Sequence, residues 1–131
     1  MICVDTSVWV AALRARDSAA GRRLDGLLDG DEVALPIPVR VELLSGVSRA
    51  QEPRLRRALS GLPVLFPTAT TWDRIDGWVR RAGDGGQRFG VGDLLIAAIA
   101  ADGGLPVWSL DNDFGRMQRL GFIETYDARS P

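Results

Sequence analysis

Acidic residues lie at four positions of this chain that could serve a catalytic or metal-binding role. Asp5 closes the first predicted strand and Asp111 closes the fourth, while Asp93 begins the most apolar predicted helix. Glu42 falls at the margin of an apolar helical face, so it is not plainly a solvated acid. In a parallel sheet, residues that follow neighbouring strands meet at one edge. Carboxylates gathered there would repel one another unless cations neutralised them.

The residue types that are missing narrow the chemistry further. The sequence contains no His and no Lys, so all 16 basic residues are Arg. This excludes Ser-His and Cys-His nucleophiles, imidazole metal ligands, lysine Schiff bases and the phosphate-binding lysine of a P-loop. Carboxylate oxygens remain, and they favour Mg²⁺ or Mn²⁺. Such ions activate water and stabilise the leaving oxygen, which points to phosphodiester hydrolysis.

Length and composition predict one soluble domain over residues 1–131, since 46% of the residues are hydrophobic and 25% are charged. Cys3 is the only cysteine, which excludes an intramolecular disulfide, and we expect it to be buried in a strand. The first residues lack the basic and apolar regions of a signal peptide, so a cytoplasmic location is expected. The formal net charge of -1 argues against a broad, non-specific footprint on nucleic acid but not against a local site.

The hydrophobic pattern predicts strands that alternate with helices. Strands are predicted at residues 2–5, 33–35, 64–66 and 106–110, with a last one beginning at Phe122-Ile123. Helices are predicted over residues 8–13, 24–28, 39–47, 55–59, 72–79, 93–101 and 111–120, and a glycine-rich loop over residues 83–92. Thr6 or Ser7 could cap the first helix. This alternation indicates an α/β fold with a central parallel sheet that helices cover on both faces.

Four short stretches carry a family likeness. They are VDTSVW at 4–9, VELLSG at 41–46, GDLLIAA at 92–98 and SLDNDF at 109–114. In this order and spacing they resemble the motifs of PIN-domain ribonucleases, specifically the VapC toxins of type II toxin-antitoxin systems. The resemblance implies a PIN-like three-layer sandwich. It further implies an endoribonuclease that cleaves RNA phosphodiester bonds with Mg²⁺ or Mn²⁺.

The resemblance also implies residue roles. Asp5, Glu42 and Asp93 match the catalytic, metal-holding acids of the family. Both Asp111 and Asp113 fit the position of the fourth acid, but two residues apart on a helix their side chains would point about 200° from each other. Strand-end geometry makes Asp111 the predicted metal ligand and leaves Asp113 as an outer or structural acid.

Small polar residues and partners complete this expectation. Thr6 or Ser7 and Ser109 resemble groups that hold a ligand or a water in similar proteins. The resemblance implies an RNA substrate, a small VapB-like antitoxin and a homodimer. No membrane partner is expected, because no segment of the sequence has the roughly 18 uninterrupted apolar residues that a membrane span requires. A groove between the Leu55 and Leu59 helix and the preceding helix is the predicted antitoxin surface.

Each acid also has a simpler interpretation. Asp93, Asp111 and Asn112 could be helix N-caps, Asp5 could be a turn residue, and Glu42 could be solvated at its tip. Capping explains any one of these residues, but it does not explain why acids close two strands and head the most buried helix. The joint pattern therefore favours a metal site.

Two rival functions remain at this stage. A PIN-like module could bind RNA or protein without cutting it, keeping the acids as caps. A phospho-accepting receiver-type domain would also place acids at strand ends, but the absence of Lys counts heavily against it.

Other residues are expected to have structural roles. We expect core packing, rather than base stacking, for the tryptophans Trp9, Trp72, Trp78 and Trp108. We expect a solvated helix face for Arg54, Arg56, Arg57, Arg80 and Arg81. Gln87 and Arg88 are expected in a connector rather than in an RNA-steering loop.

Overall fold

A central sheet of four parallel strands organises the computed structural model, which describes residues 1–129. The strands are β1 Ile2–Val4, β2 Val33–Pro36, β3 Val64–Leu65 and β4 Val107–Trp108, in the order β3-β2-β1-β4. Cys3 of β1 pairs with Ala34 on one side and with Val107 on the other. The first and fourth strands are therefore neighbours, as the convergence of their closing acids requires.

Seven helices flank this sheet within residues 1–129. They are α1 Thr6–Arg14, α2 Ala19–Asp29, α3 Ile37–Gly46, α4 Glu52–Ser60, α5 Ala69–Asp84, α6 Val91–Asp102 and α7 Asn112–Arg119. Helices α1, α3, α5 and α7 each follow a strand within a few residues. The predicted α/β fold, with helices covering a parallel sheet, is confirmed. No helix in this part of the chain is both long enough and apolar enough to cross a membrane.

The core lies between the sheet and its helices. Strands β1 and β2 are buried along their whole length, and α6 buries six of its residues, from Leu94 to Ala100. Such all-round burial explains why the α6 sequence shows no polar stripe. Cys3 is fully buried, as predicted, and burial raises the pKa of its thiol to about 12. The site at the sheet edge thus rests on a closely packed base.

Three predictions are wrong, and they concern a last strand at Phe122-Ile123, the burial of Trp72 and the extent of the glycine-rich loop. Phe122 and Ile123 are buried but form no strand, and Phe122 stacks on Trp78 of α5 with ring centroids 4.6 Å apart. A single parallel bridge joins Thr125 to Val107 instead. Trp72 is 46% exposed, whereas the other three tryptophans are buried. Helix α5 continues to Asp84, so the glycine-rich loop is limited to residues 85–90.

Candidate functional site

The predicted convergence of acids is found at the carboxyl edge of β1 and β4. Asp5 directly follows β1 and is the N-cap of α1, which corrects the prediction that Thr6 or Ser7 caps this helix. Asp111 follows β4 after two intervening residues and is the N-cap of α7. Because β1 and β4 are adjacent and parallel, both acids lie at the same edge of the sheet.

Two serine hydroxyls fix the carboxylate of Asp5. Its Oδ2 accepts hydrogen bonds from Ser7 Oγ at 2.8 Å and from Ser109 Oγ at 2.7 Å. The Ser7 oxygen also accepts from the Leu110 N–H, and the Ser109 oxygen accepts from the Asp111 N–H. Asp5 is only 5% exposed. These bonds tie together the segments that follow β1 and β4, so Asp5 has a defined orientation before any ligand binds.

Three carboxylates form the tightest acidic cluster among residues 1–129. Asp93, Asp111 and Asp113 each present an oxygen within 4.8 Å of the others. The pKa of Asp93 is raised to about 7, mainly by burial, and also by the charge of Asp111, a hydrogen bond to Asp113 and the charge of Asp5. Without a cation, full ionisation of this cluster is therefore unfavourable.

Glu42 and Thr6 form the other side of the edge. Glu42, on α3, is an exposed residue, but its Oε1 lies 4.0 Å from where a Cβ on Gly92 would be. Partial burial raises the pKa of Glu42, the charge of Asp5 raises it too, and the nearby Thr6 hydroxyl lowers it. That hydroxyl does not reach hydrogen-bond geometry, so Thr6 Oγ1 is buried without a partner among residues 1–129. Polar groups able to hold a ligand therefore remain here.

The structure departs from the sequence expectation at Asp113. The 200° separation of Asp111 and Asp113 assumes that both lie on one helix. Asp111 instead has the extended backbone of an N-cap, with φ -92° and ψ 130°, so its side chain can lie beside that of Asp113. The five predicted acids are thus grouped as a trio that includes Asp113, with Asp5 within electrostatic reach of Asp93 and Glu42.

An acid of this site can both cap a helix and belong to the acidic edge. Asp5 and Asp111 cap helices and also take part in the acidic edge. Asp93 caps nothing, because α6 begins at Val91 with Gly90 as its N-cap. Asn112 is the first residue of α7 rather than its cap. Asp93 lies in the first turn of α6, where the helix dipole favours a negative charge, but capping does not explain why this half-buried position is an acid.

One residue of the site, Arg116, was not predicted from the sequence. Arg116, on α7, donates to Asp113 with Nη2 and Oδ1 2.6 Å apart, and it donates to Gln87 at 3.2 Å. The three-residue spacing from Asp113 is a recognised spacing for helical ion pairs and could have identified the contact. Gln87, which was expected in a connector, accepts this hydrogen bond and so ties the connector to α7.

The pKa of Asp93 predicts how the metal-free protein responds to pH. The ordinary Asp value is 3.8 and the folded value about 7, so between these values the folded state holds a proton that the unfolded state releases. Stability should therefore fall as pH rises from about 4 to 7. Thermal unfolding in EDTA should show this fall, and Asp93→Asn should flatten it, although the raised pKa of Glu42 contributes in the same direction in both proteins. An equal slope in both proteins would contradict the assignment.

Comparison with known proteins fits this geometry. The sequence profile of the PIN domain family matches residues 2–120. VapC ribonuclease Mb1587 of Mycobacterium bovis is 33% identical, over 98% of this chain and 100% of the relative. Ribonuclease VapC5 of Mycobacterium tuberculosis is 31% identical, over 92% of this chain and 90% of the relative.

Solved structures agree on the fold. The VapBC-5 structure from Mycobacterium tuberculosis superposes with a TM-score of 0.71 at 25% identity, over 94% of both chains. VapBC-1 from nontypeable Haemophilus influenzae superposes with a TM-score of 0.79 at 20% identity, over 99% of this chain and 100% of the other. The chain belongs to the PIN domain family. Within that family it resembles VapC ribonucleases, in agreement with the motifs of the sequence.

Proposed function

We propose that this protein is the toxin of a type II toxin-antitoxin pair and acts as a metal-dependent endoribonuclease. The observation that carries the proposal is the meeting of three carboxylates from two elements within 4.8 Å, beside the anchored Asp5. The relatives are named as ribonucleases, which supports RNA as the substrate of this chain. The resemblance and the geometry therefore support the same class of reaction.

The donor set fits Mg²⁺ or Mn²⁺. The cluster offers only carboxylate and hydroxyl oxygens, the ligand type that these ions prefer. We propose Asp5, Glu42, Asp93 and Asp111 as ligands. Burial and the neighbouring acids raise the pKa of Asp93, so a cation beside its carboxylate would stabilise the charged form. When bound, such an ion supplies Lewis-acid activation of water and neutralises charge on the phosphate.

The residues of the chain itself orient this chemistry. Ser7 and Ser109 hold one oxygen of Asp5, and the other accepts no hydrogen bond among residues 1–129, so it can face a ligand. Helix α6 brings its first turn, with Asp93, to the same edge; Asp111 is held there by its backbone position after β4. Because these ligands are already oriented, the protein does not have to reorganise them during the reaction.

The rival PIN-like binding module requires the acids to be structural. That interpretation suits Asp5 and Asp111, which cap helices, but it does not suit Asp93. An acid with a pKa of about 7 that caps no helix lowers stability at neutral pH. A metal-binding role accounts for its presence, which is why we favour the nuclease.

The function can be tested by inducing the chain in a bacterium and sequencing the 5′ ends of cellular RNA. We expect new 5′ ends within minutes at a few recurring positions, because recognition of RNA shape selects particular sites. These positions would identify the RNA target. Induction without any new 5′ ends, with the protein present and folded, would contradict the proposal.

An apolar groove offers a surface for the antitoxin. It has a volume of about 310 Å³ and lies mainly between α1, α2 and α4; its apolar lining includes Trp9, Leu13, Leu24, Leu28 and Leu55. From α3 only the C-cap residue Val47 contributes, so the groove is not the one expected between α3 and α4. Its charged lining consists of two basic residues, Arg16 and Arg54, and one acid, Asp25. We propose that a helical antitoxin segment with apolar and acidic side chains binds here.

The groove predicts a charge substitution that blocks the antitoxin. Leu13 is the suitable position because it lines the groove and is 54% exposed, whereas Leu55 is buried and would unfold the protein if charged. Leu13→Asp should reduce antitoxin binding by about 10-fold or more, on the scale of one desolvated apolar contact. Pull-down with the small protein encoded beside the chain measures the effect. Val79→Asp, 53% exposed on α5 and outside the groove, is the control; equal binding by both variants would remove this surface.

A further inference from the structure

Arg116 links the two elements that carry the acidic trio. Its Nη2 lies 2.6 Å from Asp113 Oδ1 on α7, and its Nη1 donates to Gln87 Oε1 at 3.2 Å. Its Cζ also lies 4.5 Å from the ring centroid of Phe89. Gln87 and Phe89 belong to loop 85–90, which leads directly into α6 and therefore to Asp93. One guanidinium thus contacts both sides of the cluster.

We propose that Arg116 is a positioning residue for the metal site. It docks loop 85–90 onto α7 and holds one oxygen of Asp113, which sets the separation between Asp93 and Asp111. The inference rests on the proposed metal-dependent function and concerns how this chain keeps its ligands in place. Arg116 itself, being a cation, is no ligand.

The contacts of Asp113 and Asp111 differ in a way that supports this role. Asp113 has one oxygen in a short, charge-assisted bond with Arg116, with both side chains about one-third exposed. Among residues 1–129, Asp111 accepts a hydrogen bond only from the backbone N–H of Asp113, at 2.9 Å, and it is exposed. Its remaining oxygen is available to a cation. Arg116 therefore favours Asp111 as the ligand and Asp113 as the acid that supports it.

The loop is anchored on its other side by aromatic packing. Phe89 meets the ring of Phe122 at 6.4 Å in an edge-on arrangement, and Phe122 stacks on Trp78 of α5. Arg81 lies 5.0 Å from the centroid of the same Phe122 ring. The loop is thus held to the core through Phe89, and Arg116 attaches it to α7 at the site itself.

Removing Arg116 has two opposing effects on cation binding. Loss of a positive charge close to the cluster would strengthen cation binding by Coulomb attraction. Loss of the contact that orients the acids would weaken it, and supporting residues of this kind typically account for about 10–100-fold in metal affinity. If Arg116 is a positioning residue, the second effect dominates. The sign of the change therefore separates positioning from a mere nearby charge.

The test measures Mn²⁺ affinity by titration calorimetry on the full chain. Arg116→Gln should bind Mn²⁺ about 10–100-fold more weakly than the wild type. Arg116→Lys, which keeps the charge but has no planar fork, should recover part of this loss. The matched control is Arg119→Gln, because Arg119 lies on the same helix and makes no ion pair among residues 1–129. It should leave Mn²⁺ affinity within about twofold of the wild-type value, as a surface charge change would.

A second readout separates positioning from a general loss of structure. RNA cleavage by Arg116→Gln should return toward the wild-type rate when Mn²⁺ is raised to saturation, which an unfolded variant would not do. Should Arg116→Gln unfold, Arg116→Lys carries the comparison. Unchanged or tighter Mn²⁺ binding by the folded variants overturns the positioning role alone. A wild-type protein that binds no Mn²⁺ overturns the proposed function together with this inference.

Discussion

Asp5→Asn is expected to retain the fold and lower RNA cleavage by about a thousandfold or more. The side-chain oxygen of Asn can still accept from Ser7 and Ser109, and Asn is as good an N-cap as Asp. The substitution removes a negative charge from the buried edge, where a metal site contributes several kcal/mol to the reaction. Circular dichroism would check the fold, and a labelled RNA substrate would report the rate.

The control for this result is an acid outside the site. Asp73, exposed on α5, is a matched choice, and Asp73→Asn should cleave at the wild-type rate. If Asp5→Asn also cleaved RNA normally, the carboxylate mechanism would have to be abandoned, since the most buried acid of the edge would then be dispensable.

Asp93→Asn is expected to move two measurements in opposite directions. Without metal, the variant should be more stable than the wild type at pH 8, because burial and the neighbouring acids make the charged form of Asp93 unfavourable. With Mn²⁺ the order should reverse. A cation at about 100 times its Kd stabilises the wild type by about 2.7 kcal/mol, and the variant should gain little of this.

Thermal unfolding in EDTA and in a Mn²⁺ series measures both effects. Asp76→Asn, another exposed acid of α5, should follow the wild type in both conditions. Equal Mn²⁺ stabilisation of Asp93→Asn and the wild type would mean that the ion binds elsewhere. That result would favour the rival interpretation, a binding module whose acids do not bind metal.

The sequence predicts the convergence of Asp5 and Asp111 because a strand followed by an acid is a local pattern. Parallel pairing then requires that the two strand ends meet once β1 and β4 are neighbours. The place of Asp113 could not be predicted in this way. Whether Asp111 is inside or outside the helix depends on one residue of helix boundary, and that boundary decides where its carboxylate points.

Contacts between residues far apart in the chain could not be predicted from the sequence either. Phe122 reads as the start of a strand, but its partner is Trp78, 44 positions earlier in the chain, and no local periodicity predicts that stack. Arg116 illustrates the same difficulty. Its pairing with Asp113 has helical spacing, but its contacts with Gln87 and Phe89 exist only once loop 85–90 lies against α7.

Cleavage of a labelled RNA by the purified chain, followed through removal and return of the metal, tests the central claim most directly. Asp5→Asn purified in parallel controls for contaminating nucleases. We expect cleavage by the wild type to stop in excess EDTA, to resume when Mn²⁺ is restored, and to be absent from the variant throughout. Cleavage by the wild type that continues at the same rate in excess EDTA would contradict the account.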